Sequence, residues 1–123
     1  MPATDFDAER AYDDDQFAAH GIFQSDRTKV VCGYFEPGQF IPVHGPDSDV
    51  VVAVQSGTGV VREGETTHHV EPGDVVVVPA GVDRGVKAAA ARLEALLVTA
   101  PPPTDAEHDP VRRGLRTGTF DPE

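Results

Sequence analysis

Residues 37–59 read PGQFIPVHGPDSDVVVAVQSGTG, and residues 72–85 read PGDVVVVPAGVDRG. In both stretches a Pro-Gly pair is followed by a short run with β-branched residues, QFIPVH in the first and DVVVVP in the second, and a glycine follows soon after each run. Valine and isoleucine favour β-strands, and Pro-Gly pairs favour tight turns in which the glycine takes a positive φ. The two stretches therefore predict short strands that are joined by tight turns.

The same alternation continues on both sides of these stretches. From residue 28 onward, valine-rich runs of about five residues alternate with glycine or proline, which is the spacing of an all-β sandwich or barrel. A parallel sheet would need crossover helices between its strands. We therefore predict an all-β domain.

The residues in these two stretches resemble the two signature motifs of the cupin family. The first motif runs Gly, five residues, His-x-His, three or four residues, Glu, six residues, Gly, and Gly38 and His44 match it. The second runs Gly, five residues, Pro-x-Gly, two residues, His, and Gly73, Pro79 and Gly81 match it. The resemblance implies a double-stranded β-helix, or jelly-roll barrel, with short irregular extensions at both ends.

The resemblance also decides how we interpret KAAAARLEALL, residues 87–97, which has high helix propensity. A cupin barrel needs a closing strand here, so we expect a loop over residues 88–91 and a strand over residues 92–99. Three prolines, residues 101–103, then end that strand.

Several metal ligands of the family are replaced in this chain. Cupins typically hold a divalent metal through three His and one Glu, but Pro46 stands at the second His position, Asp49 at the Glu position and Arg84 at the last His position. A prolyl side chain cannot coordinate, and a guanidinium stays charged beside a cation. His44 and Asp49 alone are too few ligands for a tight Zn, Fe or Mn site. We therefore expect no metal or other cofactor, and an ion pair between Asp49 and Arg84 in the place of the metal.

The first functional hypothesis is metal-independent binding of a small molecule in a valine-lined pocket. The predicted ligand-binding residues are His44, Asp49 and Arg84, with Gln39 and Gln55 as weaker candidates. Arg84 would favour a carboxylate or a phosphate. An Asp49–Arg84 pair with a purely structural role is the competing interpretation, and no catalytic residue is assigned.

Two other classes of function stay open. One is an enzyme: either a metal-dependent cupin of the dioxygenase or isomerase type, in which His68 supplies a further ligand, or a metal-free acid–base catalyst with His44 as the base. The other is a dimeric structural or interaction module, since small cupins usually form homodimers. His20 and His108 are interpreted as surface residues.

Composition limits the partners and the environment of the chain. Its 123 residues carry a formal net charge of -11, which argues against binding to nucleic acid or to anionic membranes. Only two residues are lysine, which together with the excess of Asp resembles proteins of salt-accumulating halophiles. With one cysteine, no signal-like start and no long apolar run, a cytoplasmic location is expected.

The expected organisation has three parts. Residues 1–27 form an acidic lead-in with a short helical turn near residues 17–20, residues 28–100 form the barrel, and residues 101–123 form a proline-led tail. The tail is expected either to be mobile or to lie over the barrel or a partner subunit.

Overall fold

The protein is described by a computed structural model over residues 3–121, in which nine strands form two antiparallel sheets. The strands are β1 (Ala18–Gln24), β2 (Lys29–Phe35), β3 (Phe40–His44), β4 (Asp49–Ser56), β5 (Gly59–Glu63), β6 (Thr66–Val70), β7 (Val75–Val78), β8 (Arg84–Ala88) and β9 (Leu93–Ala100). One sheet has the order β1-β2-β9-β4-β7 and the other has the order β3-β8-β5-β6. This is the predicted double-stranded β-helix.

The core lies between the two sheets, and strand alternation explains how it forms. In β4, Val50, Val52 and Val54 are buried while the residues between them are more exposed, since successive side chains point to opposite faces. β9 lies in the middle of the five-stranded sheet, between β2 and β4, and its Leu93 is fully buried.

The expected loop and strand after residue 87 are confirmed. β8 ends at Ala88 and β9 runs from Leu93 to Ala100, so this alanine-rich segment does not form a helix. Pairing with two neighbouring strands gives β9 more stabilisation than local helix propensity offers an isolated segment.

The N-terminal segment differs from the expected helical turn near residues 17–20. β1 begins at Ala18 and pairs with β2, so the segment extends the five-stranded sheet. The short helix α1 (Phe6–Glu9) lies further upstream. Buried Glu94 then anchors the chain after this helix, because it accepts hydrogen bonds from Arg10 Nε at 2.5 Å and from the Tyr12 hydroxyl at 2.5 Å.

The C-terminal tail lies over the barrel. A 3₁₀ turn (Ala106–His108) leads into helix α2 (Asp109–Thr117), whose Gly114 lies directly against Pro42 of β3. The backbone N–H of Val43 donates to the Phe120 carbonyl at 2.7 Å. The tail therefore covers one end of the barrel, although residues 122–123 of the predicted tail lie outside the described residues.

None of the helices found in residues 3–121 has the length and apolar character that crossing a bilayer requires.

Candidate binding site in the barrel

A cavity of about 150 Å³ lies between the two sheets, at the end that the tail covers. Most of its wall is apolar and comes from both sheets and from the tail: Phe17, Ala19, Val31, Ile41, Val50, Val52, Val61, Val78, Val86, Leu97, Pro103 and Val111. Its polar lining residues are Thr99 and four basic residues, Lys29, His44, Arg84 and His108. None of the lining residues in the described part of the chain is acidic.

Arg84 is a buried guanidinium in this wall. Arg84 is the first residue of β8, and it is only 6% exposed. One terminal nitrogen, Nη1, donates to the Ser48 carbonyl, and the other, Nη2, donates to Ser48 Oγ at 3.1 Å. Burial lowers the pKa of Arg84 to about 10, against the opposing influence of Glu107 and Asp49, so the group stays charged at neutral pH.

The predicted ion pair between Asp49 and Arg84 is wrong. Asp49 is exposed, and its Oδ1 accepts a hydrogen bond from the backbone N–H of Ala80 at 2.8 Å. Among residues 3–121, no carboxylate lies within ion-pair distance of Arg84. Asp49 does not line the cavity, and Val50, the next residue of β4, does.

His44 faces Arg84 across the β3–β8 pair and also lines the cavity. Its Nδ1 lies 2.8 Å from the Pro42 carbonyl oxygen, which can only accept a hydrogen bond, so Nδ1 carries the proton. Burial lowers the pKa of His44, and the charge of Arg84 lowers it further. The neutral ring therefore keeps Nε2 as an acceptor for a ligand or for a proton.

His108 and Lys29 join these two residues, and the sequence interpretation did not include them. His108 was interpreted as a surface residue, but the 3₁₀ turn of the tail brings it to the cavity. Lys29 begins β2, two residues before Val31, which is a core residue. The two-residue period of a strand was the signal that could have placed Lys29 on the inner face.

The other predicted polar residues lie elsewhere. Gln39 bonds to the backbone of Glu36 and Asp13, and Gln55 is exposed. His68 pairs with Glu63 at 2.9 Å outside the cavity. His20 is partly buried and packs edge-on against Tyr34, with ring centroids 5.4 Å apart.

The residues at this end of the barrel do not fit a divalent metal. Within residues 3–121, no group of three or more His, Cys, Asp or Glu side chains has the proximity to hold one. Of these ligand types, the described lining of the cavity contains His44 and His108, and the Arg84 cation lines the same cavity. A cation bound here would meet a fixed positive charge and fewer than three protein ligands.

The protein is a jelly-roll barrel with a small internal cavity, whose wall is mostly apolar and whose polar residues are mostly basic. Residues 33–99, more than half of the chain, match the family model of the Cupin domain. The chain belongs to the cupin family.

Solved structures agree with this assignment. The TT1209 protein of Thermus thermophilus is 34% identical with a TM-score of 0.80, and the match covers 84% of this chain and 100% of that chain. An RmlC-like cupin protein from Desulfovibrio desulfuricans is 27% identical with a TM-score of 0.73, covering 83% and 98%. KdgF from Halomonas sp. shares the fold at 20% identity and a TM-score of 0.70, covering 80% and 93%. No protein of curated function gave a sequence match.

Proposed function

We propose that this cupin binds a small organic anion inside its barrel without a metal ion. The observation that carries the proposal is the buried Arg84, which has no carboxylate partner among the described residues and lies in the wall of a cavity that is otherwise mostly apolar. Buried charges in proteins are normally paired, because removing an ion from water is costly. An anionic ligand would supply the missing partner.

The hydrogen bonds of Arg84 leave room for such a ligand. A guanidinium has five N–H donors, and the two described bonds both go to Ser48. These bonds hold the guanidinium plane in place before a ligand arrives. A carboxylate matches that plane with two parallel hydrogen bonds, which gives both affinity and orientation.

The size of the cavity restricts the ligand to a small molecule. An apolar cavity of about 150 Å³ is large enough to take a molecule the size of benzene. The ligand should therefore have roughly six to nine non-hydrogen atoms, with a compact apolar part against the valines and an anionic group at Arg84.

The proposal is tested with three ligands that share one carbon skeleton and differ in charge. Calorimetric titrations with 3-methylbutanoate, 3-methylbutanamide and 3-methylbutylamine, all in EDTA, should show that the carboxylate binds at least about 10-fold more tightly than the amide. The amine should show no binding, because it would place a second cation beside Arg84. Equal binding of all three ligands, or carboxylate binding that needs added metal, would contradict the proposal.

The expected homodimer stays a prediction, and one surface supports it. A row of apolar side chains crosses the outer face of the five-stranded sheet in register: Phe23, Val30, Val98, Val51 and Val77. Phe23 and Val77 are 44% and 53% exposed. Apolar surface of this kind suits a second copy of the chain, which would bury it in a symmetric interface.

A further inference from the structure

We infer that the ligand is a dianion, a short dicarboxylate, whose second anionic group is held by Lys29 of β2. The inference rests on the proposed function, because it concerns the same cavity. It adds the class of ligand and a second binding position for it.

The two cations come from different sheets. Arg84 and His44 are paired residues of the four-stranded sheet, whereas Lys29 belongs to β2 of the five-stranded sheet, where it pairs with Thr99. All four residues line the cavity between the sheets. Both sheets therefore contribute a basic residue to the lining of the cavity.

Lys29 is available for such a ligand. Within residues 3–121, its ammonium makes no ion pair and donates no side-chain hydrogen bond. Thr28, its neighbour in sequence, instead bonds to the Thr99 carbonyl at 3.2 Å. The lysine side chain is long and flexible, so it can reach a ligand group near the rim of the cavity.

His108 lines the same cavity and interacts electrostatically with Lys29 and with His44. Burial lowers its pKa, and Lys29 lowers it further, while His108 in turn contributes to the lowered pKa of His44. Both imidazoles are therefore neutral hydrogen-bonding groups at neutral pH. The other two basic residues of the lining are Arg84 and Lys29.

Charge balance then favours a dianion over a monoanion. The lining contains two cationic residues, Arg84 and Lys29, and, in the described part of the chain, no acidic residue, while Glu107 and Asp49 act on Arg84 from outside the lining. A monocarboxylate can contact only one of these two cationic side chains with its anionic group. A dicarboxylate can contact both, and a chain of about four or five carbons fits the available volume.

The experiment compares glutarate with its monoamide, 5-amino-5-oxopentanoate, which has nearly the same shape and one charge fewer. In calorimetric titrations, the wild-type protein should bind glutarate roughly 10- to 100-fold more tightly than the monoamide. Lys29→Gln should lower the affinity for glutarate to that for the monoamide and should leave monoamide binding unchanged within about 2-fold. Arg27→Gln, which removes an exposed cation from the turn just before β2, is the matched control and should change neither affinity.

The outcomes separate the two proposals. If Lys29→Gln weakens both ligands equally, or if the wild type does not distinguish them, the dianion inference fails while anion binding stands. If the wild-type protein binds 3-methylbutanoate but neither glutarate nor its monoamide, the dianion inference fails alone, and if it binds none of the three, both proposals fail. Retained binding of the monoamide by Lys29→Gln shows that the variant is folded.

Discussion

Arg84→Gln is expected to lower the affinity for the carboxylate ligand by roughly 10- to 100-fold, because hydrogen bonds from a charged donor contribute about 1.5–3 kcal/mol. Calorimetric titration of the wild type and the variant measures the change. Arg116→Gln is the control, since it removes the same charge from an exposed position on α2 and should leave the affinity unchanged. Equal losses in both variants would show a general charge effect instead of a binding site.

The same substitution should have little effect on stability. Arg84 is buried without an ionic partner among the described residues, so its removal relieves a desolvation cost while it also removes the two hydrogen bonds to Ser48. We expect the free energy of unfolding of Arg84→Gln to stay within about 1 kcal/mol of the wild-type value in urea denaturation. A binding residue, rather than a stabilising one, should behave in this way.

Gly57→Ala, unlike Arg84→Gln, is expected to cause a large loss in the free energy of unfolding. Gly57 follows β4 with a φ of 81°, where a side chain is strained, and a Cβ there would overlap the Arg92 carbonyl oxygen just before β9. Neither backbone segment can move without disturbing the pairing of β4 with β9. We expect a loss of about 3 kcal/mol or more in the free energy of unfolding, measured by urea denaturation.

Gly38→Ala separates backbone strain from the overlap. Gly38 has nearly the same φ, 80°, but a Cβ at this position would meet no atom within 4 Å. In this control variant the free energy of unfolding should fall only by the cost of a positive φ, about 1–2 kcal/mol. Similar losses in both variants would contradict the account of Gly57.

The fold was predictable because local residue types indicate where its turns lie. Gly38, Gly73 and Gly81 all have positive φ, as the Pro-Gly pairs and the family motif indicate. The strand after residue 92 was predictable only through the resemblance, because its local composition favours a helix. β1 was not predicted, since the pairing of Ala18–Gln24 with β2 is a tertiary contact that the composition of the lead-in does not reveal.

The site was only partly predictable. Motif positions identified His44 and Arg84, which the barrel brings together as neighbours on β3 and β8. The prediction that Asp49 lies at the cavity is wrong, because strand alternation directs Val50 to the cavity instead. His108 reaches the cavity only because the tail folds back over the barrel, and the sequence left that arrangement open.

We would test metal-free binding of an anion at Arg84 with a crystal structure of the wild-type protein grown with glutarate. Anomalous scattering data collected from the same crystals would detect transition metals. We expect a carboxylate at Arg84, with N–H···O distances of about 2.7–2.9 Å, and no anomalous peak inside the barrel. A metal ion beside His44, or glutarate bound only outside the cavity, would contradict this expectation.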